Sequence, residues 1–126
     1  MLHIIREHGR RLGLCAVGIA AVEPMDPAAL RVWLEAGYGA EMAFLSRHLP
    51  LRANLATVLP GARSVICAAW CYADGASDTS YIAQYARGRD YHDVMHEALT
   101  DLWDALQVYC PNDRARIFVD SGPLPE

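Results

Sequence analysis

Asp90-Tyr91-His92-Asp93-Val94-Met95-His96-Glu97-Ala98-Leu99-Thr100-Asp101-Leu102-Trp103-Asp104-Ala105-Leu106-Gln107 is the stretch on which the fold turns. Tyr91, Val94, Met95, Ala98, Leu99, Leu102 and Leu106 recur at helical spacing and form one apolar face. Asp90, Asp93, Glu97, Asp101 and Asp104 follow at intervals of three, four, four and three on the other face. Asp90 with Asp93 three residues on resembles a capping box, so a helix opens at Asp90. The acidic stripe reads as a solvated surface that will not approach phosphate. Ser64 to Trp70 lies upstream, a continuous apolar run that predicts a strand buried on both faces. Downstream, Pro111-Asn112 turns the chain, and Ala115 to Asp120 predicts a further strand. If those strands are parallel, the helix between them is a crossover connection.

Working toward the N-terminus, Leu2, Ile5 and Leu12 fall on one helical face, with Arg6, Arg10 and Arg11 on another. Gly13 ends that helix and Leu14 to Ala20 predicts a buried strand. Asp26 is placed to cap a helix with Pro27 at its first position. It runs to about Ala36, turns Leu30, Trp33 and Leu34 inward, and stops at Gly37. A short helix from Glu41 to His48 is expected to break at Pro50, and another to cover Arg52 to Leu59. Asp74 to Ser80 is a polar, flexible loop. Helices alternating with at least three strands predict an α/β layered domain, with α+β as the variant.

The chain has 126 residues, 53% of them hydrophobic, and a mean hydropathy of +0.08, which predicts a single domain and excludes wholesale disorder. Eleven basic against fifteen acidic residues give a net charge of −4. A generic electrostatic binder of nucleic acid or anionic membrane is more basic than that. Every basic residue is arginine, so Schiff-base and P-loop lysine chemistry are excluded within the chain. Cys15, Cys67, Cys71 and Cys110 read as buried small hydrophobes in a reducing cytosol. Arg6, Arg10 and Arg11 ahead of the uncharged run Leu12 to Val22 imitate an export signal. Glu7 and His8 interrupt the basic region, Glu23-Pro24 follows the run, and eleven residues are too few to span a bilayer. A cytoplasmic protein without membrane contact is expected.

Three places carry candidate chemistry. His92-Asp93-Val94-Met95-His96 imitates the H-E-x-x-H helix with Asp for Glu; two histidines four apart share a face and can bind zinc. No third ligand is evident, so a surface pair is preferred, no metal site is assigned, and a small zinc hydrolase using His92 and His96 is kept as an alternative. Asp120 ends a predicted strand, where ligands of open α/β sheets collect. A carboxyl partly desolvated there can hold its proton and act as a general acid. Equally, it can accept backbone N–H bonds from the Ser-Gly-Pro turn that follows. In Tyr85-Ala86-Arg87-Gly88-Arg89-Asp90-Tyr91-His92, arginines, aromatic faces and a helix start can hold phosphate, amide or a planar ring. The same loop can serve only to cap the helix.

Four blocks in order carry a resemblance. They are Trp33-Leu34-Glu35-Ala36-Gly37-Tyr38-Gly39-Ala40-Glu41-Met42, Leu59-Pro60-Gly61-Ala62-Arg63-Ser64-Val65-Ile66, Tyr85 to His92, and Phe118-Val119-Asp120-Ser121-Gly122-Pro123-Leu124. Together they resemble the N-terminal region of the tRNA epoxyqueuosine reductases, cobalamin-dependent iron–sulfur enzymes that remove the epoxide oxygen of epoxyqueuosine at the tRNA wobble position. The resemblance implies that Asp120 protonates that oxygen beside cobalamin, that Arg52 lies on the cobalamin side, and that Tyr91 lines the same pocket. It implies a monomer whose partner is a tRNA with a queuosine-type anticodon. The family's two [4Fe–4S] clusters need a ferredoxin spacing that none of the four cysteines has. A chain cut before the iron–sulfur domain is therefore expected, inactive alone and binding cobalamin weakly or not at all. A non-catalytic module holding a corrin or another planar ligand is the other alternative.

Overall fold

A computed structural model describes residues 1–72, 81–120 and 122–124. The helix expected at Asp90 forms there. The Asp90 carboxylate accepts the backbone N–H of His92 at 2.9 Å, and the helix runs Tyr91–Gln107. Ala98, Leu102 and Leu106 on its apolar face are buried, while the acidic stripe is exposed. The other elements, in chain order, are α1 (Leu2–Arg11), β1 (Leu14–Ala21), α2 (Ala28–Glu35), α3 (Ala43–Ala53) and β2 (Ser64–Trp70), so Tyr91–Gln107 is α4. Short 3₁₀ turns cover Leu55–Thr57 and Gln84–Ala86.

By its contacts the chain divides into two compact units, Met1–Ile19 with Ile66–Asp120, and Ala20–Val65 with Ser121–Glu126. In the first, the core is built where α1, β1 and α4 bring Ile5, Leu14, Leu102 and Leu106 together, with Ile66, Ala68 and Trp70 of β2 packed against them. Removing these side chains from water is the main stabilising term. Two glycines set this packing. Gly13 sits at φ +85° against the Trp70 ring, a conformation and a space that suit glycine alone. A Cβ on Gly9 would come within 2.7 Å of the Val17 side chain, so α1 approaches β1 only because that Cβ is absent.

β1 and β2 form a two-stranded sheet. Cys15 near the start of β1 bonds to Ala69 near the end of β2, while Val22 just past β1 bonds to Arg63 just before β2. The strands therefore run antiparallel. The expected third strand does not form, and residues 115–120 carry no strand. Apolar composition marks burial, not pairing. Ile117, Phe118 and Val119 are half-buried, but Arg116 lies over the Phe118 ring and Asp120 turns the backbone to φ +54°. The fold is thus a mixed α+β arrangement, and α4 is not a crossover between parallel strands. Nor are the strands buried as expected: in β1 only Leu14 is buried, and in β2 Cys67 and Ala69 are exposed. Cys15 and Cys71 are exposed as well and Cys110 only half-buried, contrary to the burial expected of the cysteines.

In the second unit, Asp26 accepts the N–H of Ala28 at 2.9 Å, but Pro27 takes the cap position rather than the first helical one, and α2 starts at Ala28. Leu30 and Leu34 are half-buried, but Trp33 is exposed beside the Tyr38 ring. Pro50 does not break the helix; α3 runs through it to Ala53. Its missing N–H costs one bond in the last turn, which the surrounding turn tolerates. The separate helix expected over Arg52 to Leu59 is replaced by the end of α3 and the 3₁₀ turn. Asn54, extended at φ −148°, separates them and caps that turn through Ala56 N–H. The loop expected at Asp74 to Ser80 lies outside the described residues. Among the described residues, no helix is long and apolar enough to cross a membrane.

Candidate functional site

Asp120 follows the half-buried run Ile117 to Val119 in the left-handed region, which aspartate tolerates better than most residues. Its side chain is 64% exposed, so the desolvation expected at a strand end is not observed. What it meets instead is the start of α4. The Tyr91 hydroxyl donates to Asp120 Oδ2. This bond, then partial desolvation, then the neighbouring carboxylate charge, push the phenol up to about 12. Tyr91 therefore stays a proton donor throughout the neutral range.

His92 reaches the same carboxylate, with Nε2 3.8 Å from Asp120 Oδ2. Its Nδ1 lies 2.8 Å from Asp90 Oδ1, the oxygen that also accepts the His92 backbone N–H. The backbone bond first, and the ring bond second, hold the Asp90 carboxyl below its ordinary value. The Tyr91 and His92 rings stack with centroids 4.1 Å apart. Tyr85 meets Tyr91 edge-on at 5.8 Å, and Tyr72 meets Tyr85 edge-on at 6.0 Å. A series of aromatic faces thus leads to the Asp120 carboxylate, and Tyr72 and Tyr85 are exposed.

The two arginines flanking Gly88 serve the loop itself. Arg87 donates from Nε to the Ile82 carbonyl at 2.8 Å. Arg89 grips Glu97 through two bonds of 2.5 and 3.1 Å, which raise the guanidinium and lower the carboxylate. Arg52 belongs to the second unit, at the end of α3. Its Nη1 donates to the Leu124 carbonyl at 2.5 Å, and its buried Nε has no hydrogen-bond partner.

The His92–His96 pair does not converge. His92 is directed to Asp90 and Asp120, whereas His96 Nδ1 lies 3.5 Å from the Thr100 hydroxyl. Among the described residues no group of three or more His, Cys, Asp and Glu side chains could hold a metal ion. A cavity of about 220 Å³ lined by Arg6, Arg10, Leu14, Cys15, Ala16 and Val17 includes none of the residues around Asp120. From sequence, Asp90 reads as a cap and His92 as one of a surface pair of histidines, with zinc as the alternative. The signal that joins them to Asp120 is a long-range approach, which spacing along α4 does not express.

The chain from residue 52 to 121, more than half of its length, matches the family model described as Epoxyqueuosine reductase QueG, DUF1730. It is 40% identical over 129 residues to the epoxyqueuosine reductase of Gloeobacter violaceus, covering 97% of this chain and 40% of that protein. Against the epoxyqueuosine reductases of Pseudomonas aeruginosa and Salmonella typhimurium the identities are 36% and 37%, with 97% of this chain covered in each case. Of those two proteins it spans 37% and 34%. The fold matches a crystal structure of selenomethionine-labelled epoxyqueuosine reductase with a TM-score of 0.79 at 24% identity, over 98% of this chain and 35% of that one. It also matches epoxyqueuosine reductase crystallised with an epoxyqueuosine-modified tRNA-Tyr stem loop, at a TM-score of 0.75 and 23% identity, with the same coverage. The chain spans about two-fifths or less of these relatives, and on the match over residues 52–121 it belongs to the epoxyqueuosine reductase QueG, DUF1730 family.

Proposed function

We infer that residues 1–126 form the cobalamin-binding region of an oxidoreductase that reduces epoxyqueuosine to queuosine in tRNA, with Asp120 as its proton donor. The observation that carries the site reading is the Asp120 carboxylate held by Tyr91 at the head of α4, inside the segment that matches the family.

The residues present suit a corrin ring, which needs flat apolar faces and hydrogen-bond donors for its amides. Tyr72 and Tyr85 offer exposed rings in series with Tyr91, and Arg52 has a buried nitrogen without a partner. Tyr72, Tyr85 and Tyr91 are the residues of the first unit proposed to hold cobalamin, and Arg52 is the separate candidate that the second unit offers. When bound, cobalamin supplies the reducing chemistry that opens the epoxide C–O bond. Asp120 receives the proton destined for the oxygen, and Tyr91 fixes its carboxylate by donating to Oδ2. Cys15, Cys67, Cys71 and Cys110 lack the spacing for a [4Fe–4S] cluster, so none of them is proposed as a cluster ligand. The same reading makes the enzyme a cytoplasmic monomer whose substrate is a tRNA with a queuosine-type anticodon.

The test is reduction of an epoxyqueuosine-containing stem loop by the complete cobalamin-loaded enzyme. Asp120→Asn is expected to lower turnover at least about 100-fold, the scale of a lost general acid, while cobalamin binding stays within about threefold. Full activity in Asp120→Asn would sink the assignment.

A further inference from the structure

We propose that His92, its ring fixed by Asp90, is the positioning residue that supplies Asp120 with the proton it delivers. The inference rests on the reading of Asp120 as proton donor and identifies where that proton is kept. Among the described residues, two carboxylates lie within 4 Å of the imidazole. Asp90, from the turn before α4, is bonded to Nδ1 at 2.8 Å, and Asp120, from the segment after Val119, is 3.8 Å from Nε2 and beyond hydrogen-bond distance. The Tyr91 phenol stacks on it, and the Tyr85 phenol packs in turn on Tyr91.

The geometry orders the roles. Asp90 Oδ1 accepts from both the backbone N–H and Nδ1 of His92, so it fixes the start of the helix and the ring together. A carboxylate facing Nδ1 keeps a proton on that nitrogen and leaves Nε2 as the exchanging atom. Nε2 is 3.8 Å from the oxygen to which Tyr91 donates. Asp120 is 64% exposed and the His92 ring 45%, so the ring lies between the Asp120 carboxylate and solvent-accessible Asp90.

The transfer balances without a further reactant. Once a small side-chain rotation or one water closes the 3.8 Å gap, the Nε2–H bond of the protonated ring breaks and an O–H bond forms on Asp120. That O–H then breaks as the substrate oxygen takes the proton. His92 is left neutral with Nδ1–H still bonded to Asp90, and solvent re-protonates Nε2 across a half-exposed ring.

Two readouts test this in the complete enzyme that carries this chain. With histidine rings labelled with ¹⁵N, neutral His92 is expected to carry its proton on Nδ1. Asp90→Asn, which can still accept the cap bond, is expected to shift the neutral ring toward the Nε2–H form. A dominant Nε2–H form in the unsubstituted enzyme would overturn the proposal without any reference to activity. In single-turnover reduction between about pH 6 and 8, the rate is expected to fall as pH rises. His92→Gln is expected to flatten that profile and lower the rate about 100-fold at its acid end. A rate within about twofold of the unsubstituted enzyme, or a lower rate with an unflattened profile, overturns the role of His92. Loss of activity in Asp120→Asn alongside either result leaves the broader reading standing, and an active Asp120→Asn removes both.

Discussion

Tyr91 ties the head of α4 to Asp120, and the tie has a direct spectroscopic consequence. Its phenol is pushed up to about 12 chiefly by donating to the Asp120 carboxylate. Ultraviolet titration is expected to show a tyrosine that ionises near that value. Asp120→Asn returns it toward the ordinary tyrosine range of about 10. Tyr91→Phe removes the late transition altogether. Because the folded value lies above the unfolded one, the stabilisation is fully present below about pH 10 and is lost as pH rises toward about 12. Asp90 works in the opposite sense. Its carboxyl is lowered by the bonds from His92, so its contribution is present above the ordinary aspartate range and fades as pH falls through the folded value. At this scale the resemblance points to Asp120 and Tyr91 as site residues, which the structure brings into hydrogen-bond contact, and Asp90 was legible through its capping position. The approach of His92 to Asp120 and of Tyr72 to Tyr85 was not, because each depends on a group placed by another part of the chain.

α4 is the element whose sequence and structure agree most closely. Its cap, its buried Ala98, Leu102 and Leu106, and its exposed acidic stripe all follow from a 3.6-residue period over seventeen residues. Leu102, 2% exposed in the middle of that face, carries the packing against Ile5 and Leu14. Leu102→Ala is expected to cost about 2–5 kcal/mol, the range for emptying a leucine site in a core, read from the urea midpoint with an unchanged slope. A cost below about 1 kcal/mol would mean that this core contributes little to stability. β1 and β2 were also legible, β2 to its exact ends and β1 to within one residue. Elements whose existence depends on a partner were not. The 115–120 run has strand-like composition but no ladder, and α3 continues through Pro50 although proline is a helix breaker in isolation.

For the molecule as a whole, the chain spans two-fifths or less of its relatives, and its cysteines lack a cluster spacing. The 126-residue polypeptide alone is therefore expected to give no epoxyqueuosine reduction and to bind cobalamin more weakly than the complete enzyme. A visible-spectrum titration and a stem-loop assay read these two outcomes, and turnover by the isolated chain would refute the first. The sequence by itself determined the local features: the cap and amphipathic face of α4, the glycine that ends α1, both strands, and the family. Those are properties of neighbours along the chain, where periodicity, turn chemistry and motif order act directly. Only the tertiary structure decided that, among the described residues, the sheet has two antiparallel strands and that Asp120 lies open beside Tyr91 and His92. Strand pairing, burial and the meeting of a carboxylate with an imidazole are set by residues far apart in sequence, and composition carries no record of that distance.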